Sequence, residues 1–512
     1  MHSPYLDQIY ETLPRILALF DSDPSSESYG MGDRFYWAWG LIDFGNGTFQ
    51  GAANGLARLL VNDLLPEGYS KDKIIRRIDA MFIGADKLRR IDGSMEEAFP
   101  YEGSFCVTAL VAYDLLTAIE LLYDYLDNEV REKYIDIVRP MIGFILKNNE
   151  THAFISNHLA TAVAALYKWN LLTGESSCDR AEEILNKILT AQSEEGWYRE
   201  YEGADPGYQT LCTYYLADIL RMQNNDRLRN SLTQSIRFLW HFAHPDGSFG
   251  GLYGSRNTRF YYPAGIEYLK DIIPEATALA KFMRKSILEK KVVTLSSMDE
   301  PNLIPMFNSY CWAASIEGDI IDTPQIPCLK AQPFRIFMAH AGILIDHSER
   351  HHTIISTRKG GVVYHFKDGH LDFINSGLLF TSKNGKLYST QSTIDTDNVV
   401  IGDNEIVIKS EIRAVTRQLP KPWQFLILRL LCITFMRIRR TREYFKKMLV
   451  TTLITGIKKS YGTNTRRIKL GPDLTIHDEP RPMAGLKQQI ISSPFYTIHM
   501  ASQGYWQSQD DR

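Results

Sequence analysis

A chain of 512 residues exceeds what one hydrophobic core organises, so two or three domains are expected. Its 44% hydrophobic and 23% charged residues exclude a disordered or fibrous chain, and a net charge of −3 excludes a globally basic nucleic-acid binder. The charge is unevenly spread: residues 410–470 hold 15 Lys and Arg against Glu411 and Glu443, a local +13 that leaves −16 for the rest. Cys106, Cys178, Cys212, Cys311, Cys328 and Cys432 are scattered without a CxxC pair, which points to reduced thiols. The N-terminus lacks a basic n-region, and Asp7, Glu11 and Arg15 interrupt its apolar residues. No run reaches the roughly 18 apolar residues of a membrane span. The expectation is a cytoplasmic protein, at most peripheral at the inner membrane face.

Apolar residues at helical spacing predict helices over 4–20, 36–64, 71–89, 103–125, 129–148, 156–173, 178–192, 207–222, 227–241, 264–271, 274–289 and 303–314. Ser156 and Asn157 are N-cap candidates, and Pro274 suits a first helical turn. About twelve helices with no convincing strand make residues 1–315 an all-α unit. Its connections Gly93–Ser104, Glu194–Gln209 and His244–Asn257 are rich in Gly, Asp and aromatics. Helix pairs closed into an α/α toroid would set these loops around one rim, above a groove for an extended ligand; a globular bundle is the alternative.

Pro324, Pro327 and Pro333 mark a linker over 316–333, after which the period changes to two. Alternating segments with Gly, Asn-Gly and Asp-Gly turns predict an antiparallel β-sandwich over 334–512, resuming at 448–455, 466–470, 474–478 and 494–500. A basic amphipathic insertion, 421–447, interrupts it. Its apolar stretch of about 14 residues contains Arg429 and is too short to cross a bilayer. It is expected either to rest on an anionic membrane surface or to pack against the protein with its basic face solvated.

The segments Ser156–Tyr167, Glu195–Thr210 and Gly250–Leu269, with Lys446–Lys459 and Arg466–Glu479, resemble the heparinase II/III-like polysaccharide lyases and their alginate-lyase relatives. Tyr364–Phe373 departs from the H-x-H-x-D-like stretch that such enzymes often carry. The resemblance implies β-elimination on a uronate-containing glycan, an acidic polysaccharide or oligosaccharide being the partner. Such chemistry needs the carboxylate neutralised before the neighbouring proton leaves, and then proton transfer to and from a side chain. Asn157 and His158 match the family's neutralising pair, and Tyr208 its catalytic tyrosine. Arg256, or Arg199, would supply the positive charge a tyrosine base requires, and Tyr261 is a further proton donor. Trp197, Tyr201, Asp205, Gln209, Tyr262 and His340 are candidate substrate-binding residues.

Each of these has a structural reading as well, in capping or core packing. Glu96, Glu97, Glu102, Glu202 and Asp205 leave room for two-carboxylate hydrolysis. No Walker loop, GxGxxG after a strand, HExxH or GxSxG occurs. No cofactor is expected; a structural zinc drawn from His340, His347, His351, His352, His365 and His370 lacks a clear motif. The alternative function is non-catalytic glycan binding or assembly in polysaccharide biosynthesis, at the membrane.

Overall fold

The computed structural model describes residues 3–151, 153–201, 203–321, 323–392, 398–415, 421–451, 459–498 and 504–505. Its helices run α1 (Pro4–Ala18), α2 (Arg34–Trp37), α3 (Ala52–Val61), α4 (Lys71–Leu88), α5 (Phe105–Leu121), α6 (Asn128–Lys147), α7 (Ser156–Thr173), α8 (Cys178–Thr190), α9 (Pro206–Gln223), α10 (Asp226–Leu239), α11 (Ala264–Leu269), α12 (Pro274–Leu288) and α13 (Glu300–Ser315). The helix expected over 36–64 is broken. Gly45 falls in an irregular stretch after α2, and a 3₁₀ turn at Gly47–Gly51 leads into the shorter α3.

The composition of each helix assigns its layer. Segments such as Phe105–Leu121 and Ser156–Thr173 are apolar or small around most of their circumference and are buried on nearly every side. Others, such as Cys178–Thr190, bury a single stripe of Ala181, Ile184, Leu185 and Ile188. The first kind forms a ring in which α3, α5, α7, α9, α11 and α13 each pack on the next, with α13 returning to α3. The second kind stands outside, α4, α6, α8, α10, α12 and α1 each backing one inner helix. Two glycines permit the closest approaches. A Cβ at Gly55 would lie 2.3 Å from the Phe307 ring, and one at Gly265 would lie 2.6 Å from the Thr213 carbonyl oxygen.

Two antiparallel sheets follow. The first is a meander of β1 (Phe334–Met338), β2 (Ile343–Ser348), β3 (His351–Ser356), β4 (Val362–Lys367) and β5 (His370–Asn375). The second contains β6 (Leu379–Ser382), β7 (Leu387–Ser389), β8 (Val399–Ile401), β9 (Glu405–Ala414), β10 (Ser460–Lys469), β11 (Thr475–Pro482) and β12 (Leu486–Gln488), in the order β11-β10-β9-β7-β6-β12 with β8 paired to β9. Leu344, Ile355 and Val363 of the first sheet share a cluster with Ile406, Ile408 and Ile468 of the second. Ile343, Ile345, Ile354 and Tyr364, on the opposite face, join the core of the helical ring. The first sheet is therefore a middle layer, which is why β3 is buried at every position rather than alternating.

Between β9 and β10 the chain forms a helical hairpin, α14 (Pro422–Ile433) and α15 (Arg439–Val450). Met448 thus lies in the last turn of α15 instead of starting the strand expected over 448–455, of which 452–455 lie outside the described residues. No strand forms over 494–498, and 499–500 are likewise not described. The long strand β9 and the short β7, β8 and β12 had not been expected.

A buried ion network ties three consecutive inner helices at the end away from the loops described below. Lys168 of α7 is wholly buried, 3.4 Å from Asp218 of α9, and also engages Glu120 of α5. Tyr113 donates to Asp218 at 2.9 Å, and Arg221 does so at 2.7 Å. These cations hold the Asp218 carboxyl well below the ordinary carboxylate range, against its burial. Removing one member of such a pair strands the other charge in the interior. Lys168→Met is expected to cost about 3–5 kcal/mol, read as a lowered urea midpoint, with part of the loss recovered in Lys168→Met/Asp218→Asn.

Candidate active site

The inner helices α5, α7, α9 and α11 all begin at the same rim, and the loops before them are stitched together. Tyr201 N–H donates to the Phe154 carbonyl at 3.0 Å, Ser156 N–H to Arg199 at 3.1 Å, and Ser255 N–H to Ala204 at 2.8 Å. Asp205 organises the centre. It caps α9 by accepting from Tyr208 N–H at 3.1 Å, and its other oxygen accepts from Arg256 N–H at 2.8 Å. Thr258 donates its hydroxyl to the same carboxylate. One buried side chain thereby fixes the start of α9 against the 250–258 loop.

The consequence is a cluster of Asn157, Glu200, Tyr201, Tyr208 and Arg256. The Arg256 guanidinium lies 4.1 Å from the centre of the Tyr201 ring and 5.4 Å from that of Tyr208. It is only 8% exposed, and among the described residues its Nε and Nη1 have no hydrogen-bond acceptor. Buried donors of this kind are costly unless an acceptor arrives. Asn157 Nδ2 donates to Glu200 at 2.8 Å. Burial, reinforced by Asp205, raises the Glu200 carboxyl to about 8 despite Arg256 and Asn157. At neutral pH Glu200 is thus largely protonated and leaves the charge of Arg256 uncompensated.

The structure does not gather all the residues singled out from sequence. His158 follows Asn157 on α7, but its ring nitrogen sits 2.8 Å from Glu150. Tyr262 is close, reached through Phe260, which packs edge-on against both Tyr208 and Tyr262. Tyr261 is instead in the interior of the ring, against Phe249 and near Glu267 and Tyr310, and its hydroxyl has no partner there. Gln209 faces outward between α9 and α10, donating to Ser235 Oγ at 2.8 Å. Trp197 donates to Glu195, whose carboxylate accepts from the backbone of His340 and Ala341 at 2.7 and 2.9 Å. Trp197 and His340 therefore mark the junction of loop and sheet. Glu202 lies outside the described residues.

Glu97 and Glu102 had been noted as rim carboxylates, but not their gathering with Glu150 and Glu200 near Cys106, nor the role of Lys359. Glu97, Glu102, Glu150 and Glu200 surround Cys106 at the start of α5 and, with burial, push its thiol well up. Glu97 is raised to about 7, by the protein walls around it and by Glu102. Lys359, from the β3–β4 turn, is buried and donates to the carbonyls of Leu252 and Gly254 at 2.7 and 2.9 Å and to the Asn257 side chain. Three acceptors match the three donors of its ammonium, while burial lowers it to about 7. It clamps the loop that carries Arg256.

The strand histidines pair within the sheets. His347 and His352 are 3.1 Å apart, and His351 contacts Asp346 at 2.9 Å. His365 meets Thr353 at 2.8 Å, and His370 is exposed. Among the described residues no group of three or more His, Cys, Asp or Glu is placed to hold a metal.

No family model and no curated protein matches the chain. Among solved structures it is similar to the chondroitin AC lyase of Streptomyces coelicolor A3 in complex with chondroitin sulphate, at 10% identity and TM-score 0.55, over 93% of this chain and 66% of that one. Xanthan lyase of Paenibacillus also aligns, at 10% identity and TM-score 0.48, over 80% of this chain and 45% of that one. The chain thus spans less than two thirds of either lyase. The class so defined is one of fold, a helical ring followed by antiparallel sheets.

The raised Glu200 carboxyl has a signed consequence. Between pH 4.5 and about 8 the folded chain retains a proton that the unfolded chain releases, so this group lowers stability as pH rises through that window. Glu200→Gln keeps an oxygen for Asn157. Thermal unfolding at both ends of the window should show the variant gaining on the parent at the alkaline end; a constant offset would exclude the shift.

Proposed function

We infer that the protein is a glycan-processing enzyme of polysaccharide-lyase type, cleaving a uronate-containing chain by β-elimination. The observation that carries this reading is Arg256: a buried guanidinium with two unpartnered N–H donors, beside Tyr208 and the Asn157–Glu200 pair. A planar carboxylate meets such donors in a bidentate fork. This transfers to Arg256 much of the neutralising role that the sequence assigned to Asn157 and His158.

With the carboxylate neutralised, its α proton becomes removable. Tyr208 takes that proton, the electron pair forms the α–β double bond, and the bond from the β carbon to the glycosidic oxygen breaks. Tyr208 then gives the proton it took to the departing oxygen and returns to its ionised form. Arg256 favours the ionised tyrosine this requires. The protonated Glu200 keeps a second anion away from the guanidinium. Membership of the heparinase II/III-like group belongs to this same proposal.

The carboxylates Glu97 and Glu102, in contact with Glu200's surroundings at one rim, favour a second reading, hydrolysis of the glycan with Glu97 as acid. Incubation with a panel of uronate polysaccharides separates the two. Elimination gives an unsaturated product that absorbs in the ultraviolet; hydrolysis gives new reducing ends without absorbance. We expect absorbance to grow, to vanish in Tyr208→Phe, and to grow roughly 10²–10³-fold more slowly in Arg256→Met, with circular dichroism unchanged. Reducing ends without absorbance would replace elimination by hydrolysis, and neither signal would favour a binding or assembly role.

A further inference from the structure

The basic insertion has two unlike sides. Its inner side is held on the acidic rim. Cys432 and Met436 are buried against Phe99, with Tyr101, Leu428 and Phe445 around them. Lys446 lies 3.3 Å from Glu102, Arg429 3.0 Å from Asp43, and Arg442 is buried beside Asp92 and Tyr101. Three of the insertion's eight basic residues are thus used in place, against carboxylates that the ring presents.

The outer side has no such explanation. Trp423, Leu426, Leu430, Ile433, Phe435 and Ile438 are each between 54 and 71% exposed. The first four recur at intervals of three or four residues and form one stripe along α14. Arg439, Arg440 and Lys447 are exposed on α15 beside them, whereas Arg437, also exposed, turns back to donate to the Tyr101 hydroxyl at 3.1 Å. The only acidic residue between 421 and 450 is Glu443, and it is engaged with Thr151. An unpartnered apolar face of this extent marks an interaction site.

Charge complementarity selects the occupant. A two-fold contact with a second copy would set this cation cluster against its own symmetry mate, which is repulsive. A twelve-residue helix is about 18 Å long, too short to span a bilayer. An apolar stripe flanked by arginines suits the boundary between acyl chains and anionic headgroups, where rings and leucines enter and guanidiniums meet phosphates. We propose that the outer face of the α14–α15 hairpin docks the protein on an anionic lipid surface. Because Phe99 and Tyr101 lie beneath the same hairpin, docking sets the cleft rim beside the membrane, where a lipid-attached acidic glycan would be presented. That last step rests on the lyase reading; the docking does not.

The full chain is sedimented with phosphatidylcholine vesicles and with vesicles one third of whose lipid is phosphatidylglycerol. Binding to the second alone is expected, weakening at high salt. Each basic side chain at such a surface is worth about fivefold in partitioning, so Arg439→Gln/Arg440→Gln should lower binding by an order of magnitude or more. Leu426→Glu/Leu430→Glu, on residues already exposed, should abolish it with the melting temperature unchanged. No sedimentation with either vesicle, or equal sedimentation with both, overturns the proposal. Dimerisation that the leucine variant abolishes, without vesicle binding, would assign the face to a second copy. Since no turnover is measured, these outcomes stand apart from any failure of the lyase reading.

Discussion

The cleft depends on one buried carboxylate. Asp205 caps α9 and holds the backbone of Arg256 and Thr258, so that Tyr208 and Arg256, 48 positions apart, face each other. The arrangement has little freedom. Pro206 opens the helix directly after Asp205, and a Cβ at Gly254 would lie 2.7 Å from the carboxylate. Burial alone raises this carboxyl, while the donors from Thr258, Tyr208 and Arg256 pull it down. An interior acid kept by hydrogen bonds from main chain and hydroxyl positions a cation without neutralising its guanidinium.

The second constraint is the layer order. The central strands β2–β4 of the first sheet are buried on both faces, one against the ring and one against the second sheet. That position lets a single turn residue, Lys359, reach 107 positions back along the chain to the Leu252 carbonyl. Tyr364 of β4 accepts from Leu252 N–H at 3.0 Å, and Tyr505 accepts from Arg259 N–H at 3.1 Å. The loop bearing Arg256 is therefore fixed from the ring by Asp205, from the sheets by Lys359 and Tyr364, and by Tyr505, which itself bridges to Met298. A site supported from two sides is held in one geometry.

What the sequence revealed follows from the range of the forces involved. Periodicity is local, so α7 was read to its observed limits, Ser156–Thr173, and the change of period at Phe334 was plain. β9 was legible too: Ile406, Ile408, Ser410 and Ile412 alternate inward, but a charge count beginning at 410 cuts through it. The family resemblance suggested Asn157 and Tyr208, and the positive charge that a tyrosine base requires suggested Arg256; their meeting is a tertiary fact. Adjacent tyrosines show the limit. Tyr262 joins the Tyr208 cluster while Tyr261 enters the core, and nothing in FYYP distinguishes them. Glu200 acquires its character from burial, and Lys359 from contacts across a hundred residues; neither has a local signal.

The opposite charges of ring and insertion also acquire a physical account. A +13 segment on a −16 remainder was expected either to rest on an anionic membrane or to pack against the protein, and the inner side of the hairpin does pack. Arg429, Arg442 and Lys446 then turn out to meet Asp43, Asp92 and Glu102 across the rim. Lys446 lowers Glu97 from the value that burial and Glu102 would impose, so the insertion moderates the acidity of the cleft it borders. Such pairs are partly desolvated and rest on the packed cluster of Phe99, Cys432 and Met436, which gives the hairpin an orientation as well as an attachment. Its outer face is thereby fixed in direction relative to the cleft. Whatever that face binds is held at a set distance from Arg256, and the charge that looked like an excess becomes the means of alignment.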